Sequence, residues 1–70
     1  MADGNVVKVS TIIGSSPESF AKAAEHAVSE ASRTIRGITG ADVVSMSCVV
    51  EDGSITEYRT TVNIAFVVER

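Results

Sequence analysis

The chain offers few residues that could do chemistry. His26 is the only histidine and Cys48 the only cysteine. By spacing, His26 falls mid-helix on a polar side, where a solvated or packed ring is the simpler reading than a catalytic one. Cys48 falls in an apolar alternating set and reads as a buried small hydrophobe. No basic neighbour or helix start in sequence marks it as a reactive thiol. Ser15 and Ser16 precede a helix in "GSSPE", where backbone donors could hold an anion. Simple capping explains the same residues, and the lysine and spacing of a phosphate-binding P-loop are missing. Arg59, flanked at two-residue spacing by Glu57 and Thr61, is read as a partner in a cross-strand or intersubunit salt bridge, or as a polar group aimed into an interface pocket. Asp42 is a hydrogen-bond acceptor or cation ligand for such a pocket. With Glu57 and Glu51 it makes three carboxylates that could offer oxygen to calcium or magnesium. Glu25 and Glu30 read as solvated helix charges.

These residues are positioned by a short run of elements. Val6 to Ile13, "VVKVSTII", is β-branched and loosely alternating, and predicts a first strand broken by Gly14 and Ser15. Ser16 then serves as N-cap, Pro17 as first helical residue, and Glu18 suits the positive end of the helix dipole. Phe20, Ala24, Ala27, Val28, Ala31, Ile35 and Ile38 trace one helical face, and Gly37 predicts the C-cap. Val43 to Glu51 predicts a second strand, whose apolar set Val44, Met46, Cys48 and Val50 should face the helix. "EDGS", Glu51 to Ser54, is a hairpin turn signal. Ile55 to Glu69 predicts a long third strand, with Tyr58, Val62, Ile64, Phe66 and Val68 on one face. The other face carries Glu57, Arg59, Thr61 and Asn63, then Ala65 and Val67.

The resulting class is α+β: a β-α-β-β order, with one helix on a three-stranded antiparallel sheet. One helix covers one sheet face only. The second face is half apolar and two strand edges are open, so the pattern predicts a homo-oligomer.

Length and composition agree. Seventy residues, 44% hydrophobic, predict one small globular domain over 1–70. Such a core is marginal without staples. A single cysteine excludes an internal disulfide, and no Cys/His cluster suggests structural zinc. The net charge of −3 with scattered basic residues argues against nucleic acid as a partner. No apolar run is long enough for a membrane span. "MADGNVVKV" lacks the pattern of a signal peptide, so the cytoplasm is expected.

Together, "GSSPESF" entering an alanine-rich helix, "TIRGI" closing it, "ADVV", and above all "EYRTTVNIAF" in the last strand resemble the dodecin family, over roughly Val6 to Glu69. The resemblance implies a hollow homododecamer in which the sheet wraps the helix and its other face lines the interior. It implies non-catalytic binding and storage of flavins (riboflavin, FMN or FAD) in pairs at subunit interfaces. Dodecins stack the flavin on a tryptophan at the start of the second strand and bind its pyrimidine edge with a glutamine after the third-strand tyrosine. On that pattern the tryptophan position falls on Gly40, beside Ala41 and Asp42, and the glutamine position on Arg59. The chain contains no tryptophan. Each lost stacking contact is worth about 1–3 kcal/mol, so the resemblance implies weak or altered flavin binding. Binding of a divalent cation such as calcium, or a purely structural cage, are the alternative readings.

Overall fold

The structure, a computed structural model, describes residues 6–68. Four elements follow one another: β1 (Val7–Ser16), α1 (Phe20–Ser32), β2 (Ile38–Glu51) and β3 (Ser54–Val67). The strands form one antiparallel sheet in the order β1-β3-β2. The expected class and element order are therefore present. Residues 1–5 of the N-terminal "MADGNVVKV" and Glu69 of the expected last strand lie outside the described residues.

Gly14 does not break β1; it lies inside it, opposite Thr60 of β3. Its role is close approach. A Cβ on Gly14 would collide with the carbonyl oxygen of Ala23 and crowd Ala27 of the helix. The glycine therefore lets α1 lie almost on the strand backbone. The helix answers with its smallest side chains: Ala23, Ala27 and Ala31 are buried on one ridge at four-residue spacing. Below them lie Val62 and Ile64 of β3, also buried. Ile12, Ala24, Val28, Ile35, Ile38 and Phe66 pack around this cluster.

The helix starts three residues later than its sequence signals suggest. Ser16 stays in the ladder opposite Tyr58, and its hydroxyl accepts the amide of Glu18 at 2.9 Å. Pro17 and Glu18 form the bend that this local bond stabilises. Ser19, with extended backbone, is the true N-cap: its hydroxyl accepts the amide of Lys22 at 3.0 Å. The helix also ends early, at Ser32, with Arg33 as C-cap. Ile35 and Ile38 continue the apolar rhythm from outside the helix, because both pack on the same core. Gly37, with φ of 77°, turns the chain into β2 and accepts the Val67 amide at 3.0 Å. β2 thus begins at Ile38, five residues ahead of its predicted start.

The turn between β2 and β3 is as read. Asp52 and Gly53 have φ of 52° and 80°, the left-handed pair that a two-residue hairpin loop matched to strand twist requires.

Coverage of β2 differs from expectation. α1 lies mainly over β1 and β3 and barely reaches β2. Val43, Met46 and Cys48 stand opposite Val62, Thr60 and Tyr58 and so share the helix-side face. A bulge between Val43 and Ser45 puts Val43, not Val44, into that set. None of them is covered within the chain: Val43, Val44, Met46 and Val50 are all more than half exposed. Cys48 is exposed rather than a core residue.

Candidate functional site

The sheet face turned away from α1 is the candidate site. Its rows follow from the register: Val9–Ala65–Gly40, then Thr11–Asn63–Asp42, then Ile13–Thr61–Ser45, then Ser15–Arg59–Ser47. Each row spans all three strands with β3 in the middle. The face is apolar along β1, where Val7, Val9 and Ile13 are 51%, 59% and 63% exposed, and polar towards its centre.

Gly40 sits within β2, not at a turn, and has no positive φ. No atom lies within 4 Å of where its Cβ would be. The position is an open notch in this face, and its backbone accepts a side chain without strain. Ala41 points to the opposite face, beside Ile64. Asp42 is exposed and lies across from Asn63. Asn63 is held from the other side, because the Thr11 hydroxyl donates to its Oδ1 at 2.7 Å.

Arg59 is exposed, and its Nε lies 3.5 Å from Glu57 Oε2, so within the chain its ion pair runs along β3 at i,i+2 and not across strands. The pair is on the surface, and pairs of this kind contribute little to stability. Arg59 and Gly40 share the outer face but not a neighbourhood. From position 59 to Ala65, the partner of Gly40, is six residues, or about 20 Å at the rise of a strand. The three carboxylates are likewise spread out. Asp42 is near the start of the hairpin, Glu57 faces Val49, and Glu51 closes the turn opposite Ser54. Among the described residues no three potential ligands come together to hold a metal.

The remaining candidates have structural duties. The Nδ1 of His26 lies 2.9 Å from the Ser15 carbonyl; as an N–H donor it ties the helix to β1. Thr60, buried between α1 and the sheet, donates to the Phe20 carbonyl at 2.9 Å. Phe20 and Tyr58 meet edge to face at 5.0 Å. Glu25 and Glu30 pair on the helix surface with Lys22 and Arg33.

One feature escaped sequence reasoning. A groove of about 380 Å³ lies where the chain leaves α1, lined by Lys8, Thr34, Ile35, Arg36, Phe66, Val67 and Val68. None of the predicted site residues borders it. Lys8, a lone charge in an otherwise uncharged β1, was the available signal.

Comparison with known proteins places this geometry. The dodecin family model matches residues 6–69. No curated protein matches the chain. Among solved structures, dodecin from Streptomyces coelicolor is 25% identical and superimposes with a TM-score of 0.93, over 99% of each chain. Dodecin from Streptomyces davaonensis is 25% identical with a TM-score of 0.92, over 97% of this chain and 100% of that one. A calcium-chelating immunodominant antigen of Mycobacterium tuberculosis, calcium dodecin, described as having a novel calcium-binding site, is 35% identical with a TM-score of 0.80, over 91% of each chain. With a family match over nearly its whole length and the same fold in each of these relatives, the chain belongs to the dodecin family.

Proposed function

We propose that the protein is a non-catalytic, homododecameric binding protein of the cytoplasm, holding a planar flavin-type ligand such as FMN or riboflavin on the outer sheet face between subunits. The carrying observation is that face: exposed, apolar along β1, and notched at Gly40 with nothing to fill the notch. The shape of the subunit supports assembly. Its Cα radius of gyration is 14.7 Å, against about 11 Å for a compact 70-residue domain. Gly40 and Arg59 replace the stacking and edge-binding residues that the family resemblance implies, so native flavin affinity is weak.

The test is the double substitution Gly40→Trp, Arg59→Gln, followed by flavin fluorescence titration. Tryptophan supplies a stacking face and glutamine a donor and an acceptor. Affinity for riboflavin should rise at least about tenfold, the equivalent of one stacking contact. An intact assembly carrying both substitutions and still ignoring flavin would overturn the reading.

Calcium is a second reading, favoured by the 35% identity to the calcium dodecin of M. tuberculosis. The carboxylates of Asp42, Glu57 and Glu51 are separated in one chain, so any site built from them needs a second copy. Calorimetric titration with calcium and magnesium decides it: saturable calcium binding lost in Asp42→Asn supports the reading, and unchanged binding in that variant removes Asp42 from it.

A further inference from the structure

The groove at the end of the sheet contains none of the candidate site residues and has its own chemistry. Lys22, Arg33 and Arg59 each pair with a glutamate. Lys8 and Arg36 have no carboxylate partner among the described residues, and both line this groove. In a chain of net charge −3, two cations at one concavity with no carboxylate partner among the described residues are a local reversal of sign. The rest of the lining is mostly apolar: Ile35, Phe66, Val67 and Val68, all half-buried. The volume, about 380 Å³, falls in the range of small-molecule sites. The walls are tied by backbone: Val67 donates to Gly37 at 3.0 Å and Val68 to Val6 at 2.8 Å. The groove is therefore formed before anything enters it.

We propose that this groove binds a small amphipathic anion, with a phosphate or carboxylate head held by Lys8 and Arg36 and an aliphatic or aromatic body laid on Ile35, Phe66 and Val68. Arginine supplies a planar fork of donors and lysine a mobile point charge, a pairing suited to an oxyanion. Neither half of the groove suffices alone. Two exposed cations hold a bare anion only weakly in water, and the apolar strip is too short to retain a neutral chain.

The test uses the full chain in its assembled form, with four probes titrated calorimetrically at low salt: octyl phosphate below its micelle threshold, octanoate, octanol and inorganic phosphate. Saturable binding of octyl phosphate or octanoate is the expected result, and the tighter of the two identifies the head group. Octanol and inorganic phosphate should bind at least about tenfold more weakly, each lacking one half of the interaction. The variant Lys8→Gln, Arg36→Gln, both exposed positions, should sediment normally and lose about five- to tenfold in affinity for the anionic amphiphile. In the unmodified protein, affinity should fall as salt rises. Octanol binding as well as octyl phosphate, affinity unchanged in the double variant, or no saturable binding of either amphiphile would each overturn the proposal.

Discussion

At the scale of single residues, Gly14 and Gly40 show two opposite uses of a missing side chain. Gly14 is filled space: the helix backbone occupies the volume a Cβ would need. Gly14→Ala must push α1 off the sheet or distort β1. Overpacking of this kind costs about 1–3 kcal/mol, and chemical denaturation of the variant should show a loss in that range. Gly40 is empty space, which is why it can accept a tryptophan where Gly14 cannot accept a methyl group. Nothing in the sequence distinguishes the two. Both are glycines flanked by β-branched or small residues, and only the helix lying over one of them tells them apart. The misreading of Cys48 has the same origin. Alternation correctly assigned it to the helix side of the sheet, but could not say how far across the sheet the helix reaches.

At the scale of elements, the hairpin was the most legible part. Asp52-Gly53 encodes its geometry locally, because few other residue pairs tolerate two left-handed conformations in succession. Gly53→Ala places a Cβ at φ of 80° and should lower stability by about 1–2 kcal/mol, measurable as a lower denaturation midpoint with an unchanged slope. The helix ends were less legible. Ser16 and Ser19 are both credible caps, and the choice between them is made by the ladder, which keeps Ser16 opposite Tyr58. Ile35 and Ile38 carry a helical rhythm beyond the helix because tertiary packing, not local periodicity, buries them. The predicted start of β2 at Val43, against Ile38 in the structure, has the same origin, because Ile38 is counted into the helical rhythm.

At the scale of the whole molecule, the sheet presents two uncovered surfaces: the outer face, and the helix-side strip on β2 that α1 does not reach. Proteins rarely leave such surfaces to water when they are this apolar. Met46, 58% exposed in the single chain, separates the two possibilities. Were the strip solvated in solution, Met46→Glu would change stability by no more than about 0.5 kcal/mol. In the proposed dodecamer the strip is covered by other copies, so the same substitution should break the assembly. Sedimentation should then show about twelve chain masses for the unmodified protein and a much smaller species for the variant. That one sheet face stays uncovered within a single chain was legible from the sequence, since one helix cannot cover both faces of a sheet. Glu57, Arg59, Thr61 and Asn63 were legible as one face of β3, but Ala41 and Val43 of β2 lie on the opposite face and the separations along the sheet were not legible, because both depend on register and on the bulges of β2.

The distance between Gly40 and Arg59 along β3 carries a further consequence. About 20 Å is too far for one flavin ring to touch both in a single chain, so a ligand that uses both positions touches two chains. Occupancy and assembly then become linked equilibria. Each bound molecule favours the associated state by mass action, and dilution of the protein releases ligand even when the free ligand concentration is held constant. A store built this way fills and empties with the abundance of its own subunit.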